Sequence, residues 1–144
     1  MRAVRRLASL PPAEVALLFR AWLLLVRMRL ALWLLPWPRV LALLPPEVRP
    51  SRRFTADRLE RAVRAASRAV PYATCLTQAL ALNHLLSRGG YDSIVRIGVT
   101  NAGGRFAAHA WIECGGVTRL SSDTDVARYA PLVTWTPTKP DLFR

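Results

Sequence analysis

Apolar positions follow two rhythms along this chain, helical spacing up to residue 88 and strand alternation beyond residue 93. From Ala13 to Leu35 nearly every residue is apolar, and the only charges are Glu14, Arg20, Arg27 and Arg29. At 100° per residue, Arg20 and Arg27 share one stripe while Leu, Val, Ala, Phe and Trp fill the rest. Pro11-Pro12 precede this helix and Pro36-Trp37-Pro38 end it. A helix this apolar must be covered by the fold, by a docked partner or by a membrane surface. A membrane span is disfavoured, because Arg20 and Arg27 would each cost about 3 kcal/mol near the bilayer centre. Val40 to Leu44 makes a short apolar turn closed by Pro45-Pro46, and 47–53 is a basic linker. That linker divides an N-terminal helical region, 1–53, from a core, 54–144.

Thr55 caps a second helix with Leu59, Ala62, Val63, Ala66 and Val70 on one face and Arg58, Arg61, Arg64 and Arg68 on the other. Thr74 caps a third, in which Leu76, Ala79, Leu80, Leu82, Leu85 and Leu86 repeat at helical spacing before the Gly89-Gly90 stop. The period then changes. Ser93 to Thr100 is a strand by its β-branched content, Asn101 to Gly104 is turn chemistry, and Arg105 to Cys114 is a second strand. Gly115-Gly116 reverse the chain into a third strand, from Thr118 to about Asp123, and the proline-containing tail 126–144 reads as a loop. Helices followed by a small antiparallel sheet define an α+β fold.

Charge sharpens this picture. The 144 residues carry a net +12, concentrated in 1–70, where fourteen Arg stand against four acids. Arginine at this density suits phosphate, carboxylate or anionic-membrane partners. No nucleic-acid motif and no aromatic–basic interleaving accompany it. Two cysteines and two scattered histidines make neither a disulfide framework nor a metal site, and no cofactor motif is present. The basic start at 1–6 is followed by Pro11-Pro12 and Glu14 before any long apolar run, which argues against a signal peptide and for a cytoplasmic protein.

The candidate chemistry is a thiol site. Cys75 falls in the first turn of the third helix, where free backbone N–H groups and the positive end of the dipole favour a thiolate. His109 lies on the second strand, and Asp123 and Asp125 follow. With a three-residue Gly115-Gly116-Val117 loop, Ile112 faces Leu120, Glu113 faces Arg119, and Asp123 lies across from His109. A two-residue Gly-Gly loop would instead set Ile112 against Arg119 and bring Ser122 to His109. The first register is preferred for its matched pairs. Cys75 is then the nucleophile, His109 the acid–base group and Asp123 its orienter, with Asp125 a second candidate. The Cys75 N–H is a natural oxyanion donor and Gln78 a candidate second one. Cys114 reads as a small buried hydrophobe and His84 as structural.

The stretches Thr74-Cys75-Leu76, Ala79 to Leu82, Leu85 to Gly89, Arg96 to Val99, Phe106 to Glu113 and Asp125 to Leu132 resemble the lasso-peptide biosynthesis B proteins, in particular the peptidase half of the split form. The likeness covers about 55–133. It implies a papain/transglutaminase-like core, with a Cys-bearing helix packed on a small antiparallel sheet. It further implies a cysteine protease that removes the leader from a ribosomally made precursor peptide. A separate leader-binding protein delivers the substrate in that family, and an ATP-dependent cyclase closes the ring. Cys75 and His109 match the family's motif, whereas the family's aspartate falls slightly closer to the histidine, where this chain has Ser121 and Ser122. No leader-recognition domain is visible, so the 13–35 helix or the basic face of 54–70 is the expected docking surface for a partner, with the helix also a candidate for membrane-surface contact. Acyl transfer to an amine and a non-enzymatic basic binding module are the rival readings.

Overall fold

The computed structural model describes residues 10–48 and 51–136. Helix α1 spans Pro12–Leu34, with proline in its first turn where an N–H would go unused. A short α2, Trp37–Leu41, follows. Helix α3, Ala56–Ser67, opens on Thr55, whose side chain accepts the Arg58 N–H, and α4, Cys75–Arg88, opens likewise on Thr74. Strands β1, Ile94–Thr100, β2, Ala107–Cys114, and β3, Val117–Arg119, lead to a one-turn helix α5, Asp123–Val126, and to β4, Ala130–Trp135. The sheet is antiparallel in the order β3-β2-β1-β4, giving the α+β architecture that the helix-then-strand pattern predicts.

Helix α4 is the centre of the molecule. Ala79, Leu80, Ala81, Leu82 and Leu86 are fully or almost fully buried on several sides of it. Helix α1 packs on α3 and α4 through Leu17, Ala21, Leu24, Leu25, Met28 and Ala31. The sheet packs on α4 through the alternate residues Val95, Ala110, Ile112 and Cys114. Each buried Leu or Ile contributes roughly 1.5–3 kcal/mol of transfer free energy. The outer side of α1 stays in solvent, with Phe19, Leu23, Leu30, Trp33 and Leu34 exposed. Among the described residues, no helix is long and apolar enough to cross a membrane.

Two expectations about the sheet are corrected. Cys114 pairs with Val117, Glu113 with Thr118 and Ile112 with Arg119, so the hairpin has the two-residue loop rather than the three-residue one. Gly115 and Gly116 have φ of +60° and +76°, and two such residues in succession match the twist of the flanking strands. The apparent mismatch of Ile112 with Arg119 is relieved by α3. Arg119 reaches Asp57 at 2.8 Å and Glu60 at 3.1 Å, and Glu113 pairs instead with Arg96 at 2.7 Å. The third strand also ends at Arg119, well short of Asp123. Leu120 turns to φ +65° and gives its N–H to Glu60 at 2.9 Å.

The second correction is β4, which occupies the first part of the tail read as a loop. Pro131 concealed it, since proline is tolerated on an edge strand and β4 is one. The ladder with β1 shifts register between Ile97 and Gly98, where Pro131 stands opposite Gly98. The remainder of that tail, 137–144, lies outside the described residues.

Candidate active site

Cys75 is the first residue of α4, half-buried and not in a disulfide. A tight turn delivers it there: Tyr72 has φ +56°, and the Thr74 N–H bonds back to the Tyr72 carbonyl at 2.8 Å. Thr74 then caps the helix by accepting the Thr77 N–H at 3.4 Å. The N–H groups of the first turn ahead of Thr77 have no acceptor within the helix, and they favour negative charge on a group beside them. Gln78, foreseen as an oxyanion donor, gives its side-chain N–H to the Ala73 carbonyl at 3.0 Å and so braces the same turn.

His109 lies on β2, opposite Gly98. Alternation along β2 places Ala110 and Ile112 in the core and His109, Trp111 and Glu113 on the other face. There the imidazole stacks with Trp111 at 6.1 Å between ring centres and lies against Tyr129 at 5.4 Å. Gly98 makes this possible. A β-carbon on it would come within 2.8 Å of the Tyr129 Cβ and 3.0 Å of the Trp111 ring. Nε2 of His109 is hydrogen-bonded to Ser121 Oγ at 3.1 Å, which leaves Nδ1 for another partner. Burial lowers the His109 pKa from its ordinary value, and the charge of Asp125 opposes that shift.

A cleft of about 500 Å³ opens beside the ring, bounded by Ser121, Ser122, Asp125, Arg128, Tyr129 and Arg64. Asp125 accepts a hydrogen bond from Ser122 at 2.6 Å and pairs with Arg128 at 2.7 Å, and its carboxyl lies below the usual range chiefly through the Ser122 bond. Asp123 begins α5 on the exposed side and makes no side-chain hydrogen bond or ion pair among the described residues. The register that would have put it across from His109 is not the one formed.

The structure therefore gathers His109, Ser121, Ser122 and Asp125 at one cleft. The Cys75 side chain packs against the apolar core. No hydrogen bond joins it to His109, and it does not line the cleft. Ser121 and Ser122 stood in the sequence only as the residues where the resembled family has its aspartate, and Tyr129 and Gly98 were missed; the available signal was the single glycine in the β-branched run of β1. Cys114 is buried and its thiol is pushed up by desolvation. Buried His84 has its pKa lowered to about 4, by burial first and then by the nearby Arg88, Arg27 and Arg20. Among the described residues, no cluster of His, Cys, Asp and Glu could hold a metal ion.

The family model described as the transglutaminase-like superfamily matches residues 22–134. That range begins inside α1 and takes in α3, the Cys75 helix, His109 and almost all of β4. No curated protein and no solved structure matches the chain. Over most of its length, then, the chain belongs to the transglutaminase-like superfamily, whose chemistry is of the cysteine peptidase and acyltransferase type.

Proposed function

We propose that this chain is a cysteine peptidase that removes the leader from a ribosomally synthesised precursor peptide of the lasso class. It works with a separate leader-binding protein and with an ATP-dependent cyclase that closes the ring on the freed amine. The observation that carries the thiol chemistry is the placement of free Cys75 at the first position of a capped helix in a transglutaminase-like chain. The motifs around Thr74, Phe106 and Asp125 support the narrower leader-peptidase reading.

In this mechanism the Cys75 thiolate attacks the scissile carbonyl, and the first-turn N–H groups of α4 stabilise the tetrahedral oxyanion. His109, working through Nδ1, passes the proton taken from the thiol to the departing amine, and the peptide bond breaks to leave a thioester. Water, deprotonated by the same ring, then releases the new carboxylate and restores the thiol. Ser121 holds Nε2. The charge of Asp125 favours the protonated ring, and Asp123 is the alternative acid. The Cys75 thiol and His109 share no hydrogen bond in the free chain, and catalytic contacts of this kind often form or tighten only in the complex with substrate.

The test is mass analysis of a precursor peptide incubated with the chain, the leader-binding protein and the cyclase. Two fragments, abolished by Cys75→Ala and by His109→Ala, support the proposal. A mass increase on an amine would replace hydrolysis by acyl transfer, and an unchanged peptide would overturn both. Alkylation of Cys75 across pH checks the pairing: His109→Ala should alter the profile in the assembled complex, and an identical profile would remove His109 from the mechanism.

A further inference from the structure

We propose that a pocket where α1, α3 and α4 meet binds an anionic amphiphile, a phosphate or carboxylate head on a short apolar stem. The cavity has about 270 Å³ of space, just below the usual range for drug-sized ligands and enough for a small one. Its floor is Leu17, Leu59 and Leu85, one from each helix and all buried. Its rim is Arg20, Arg53 and Arg88. The site shares no residue with the cleft at His109 and does not depend on the thiol chemistry.

Arg20 and Arg53 are exposed at the rim, and Arg88 is half-buried beneath them. None of the three forms a hydrogen bond or ion pair with an acid among the described residues, so their charge is free to meet an anion. The one acid of α1, Glu14, is paired with Arg58. Arg53 is laid over the Phe54 ring at 5.6 Å, a contact that positions a guanidinium without cancelling its charge. The Nε of Arg88 is buried with no acceptor among the described residues, a state that costs free energy until an oxygen reaches it. Arg20 and Arg88 also face the buried, uncharged His84, which offers them no compensating charge. Gly89 closes the wall, since a β-carbon there would sit 3.1 Å from Leu59 Cδ1. A planar guanidinium fork is the protein group best matched to carboxylate and phosphate oxygens, and the leucine floor rewards an apolar stem over a bare ion.

Calorimetric titration of the full chain with hexyl phosphate tests this, alongside inorganic phosphate, hexanoate and hexanol. Saturable binding of hexyl phosphate is expected, tighter than that of inorganic phosphate, with no binding of hexanol. Arg88→Gln and Arg20→Gln should each weaken it roughly tenfold, the effect of losing one charge-assisted bond. Arg68→Gln removes the same charge from an exposed site outside the pocket and should leave binding unchanged. Ser51→Glu, which places a carboxylate at the exposed mouth, should block the site even if the arginine variants fold poorly. Wild-type affinity in both pocket-arginine variants, or an equal loss in Arg68→Gln, would overturn the proposal. Vesicles of phosphatidylcholine containing phosphatidic acid identify the source of the head group. Release of bound protein by hexyl phosphate assigns a lipid head; hexyl phosphate binding without vesicle binding assigns a free anion.

Discussion

Nε2 of His109 meets the hydroxyl of Ser121 at 3.1 Å, and among the described residues no carboxylate bonds the ring. A hydroxyl can fix the orientation of an imidazole but adds no charge to hold its proton. That is why burial wins at His109 and its pKa falls, with Asp125 opposing. Ser121→Asp should therefore raise the His109 pKa, because a carboxylate at that position favours the imidazolium. Asp125→Asn should lower it further. Ring-proton titration by NMR reads both, and a shift of the opposite sign in either would contradict the electrostatic account. Ser121→Ala should slow peptide cleavage roughly three- to tenfold, the size of one neutral orienting hydrogen bond.

The loop that carries Ser121 is anchored from behind by Arg119. This side chain is buried and bonds Asp57 and Glu60, and Glu60 also takes the Leu120 N–H. Arg119→Ala removes the buried cation on Glu60, leaving the more exposed Arg64 as its ion-pair partner, and should cost about 1.5–3 kcal/mol, the size of a charge-assisted bond, measured by urea unfolding. Asp57→Asn should have a much smaller effect, because Asp57 is solvent-exposed. Equal losses from the two substitutions would show that burial does not set the strength of this network.

What could be read from the sequence, and what could not, divides along the range of the interactions. Thr55, Thr74 and the leucine spacing of α3 and α4 are local signals, and the caps and helices form where they point. Cys75 at a helix start follows from the same local information. The β2–β3 register depended on where Arg119 goes. Matching Arg119 to the adjacent Glu113 looked favourable, but the carboxylates that win are Asp57 and Glu60, about sixty residues earlier in the chain. That single distant competition moved the hairpin by one residue, ended β3 early and put Ser121 rather than Asp123 beside His109. Strand β4 was hidden for a related reason: Pro131 weighs against a strand locally, and only its place at the sheet edge permits it.

Gly98 lets the aromatic group around His109 close. A β-carbon there would approach Tyr129 Cβ at 2.8 Å and the Ala130 carbonyl at 3.1 Å, so backbone as well as side chain would have to shift. Gly98→Ala should destabilise the fold by roughly 1–3 kcal/mol, as overpacking does. It should also alter the near-ultraviolet dichroism of Trp111 and Tyr129. Unchanged stability and spectrum would mean that β4 moves away from β1 without loss.

His84 gives the fold a specific acid weakness. Its pKa is about 4 in the folded chain against an ordinary value of 6.5, with burial the leading cause. The unfolded chain therefore binds the proton more readily, and stability is complete above pH 6.5 and declines as the pH falls from there to about 4. The gap corresponds to at most about 3 kcal/mol. Asp57 and Asp125, whose carboxyls are lowered by their partners, lose stability at still lower pH and do so in any His84 variant. His84→Gln keeps a hydrogen-bond donor but cannot titrate, so its unfolding free energy should vary less than that of the wild type between pH 7 and pH 4.5. Guanidinium unfolding at a series of pH values measures the difference directly, and parallel curves for the two proteins would place the acid sensitivity elsewhere.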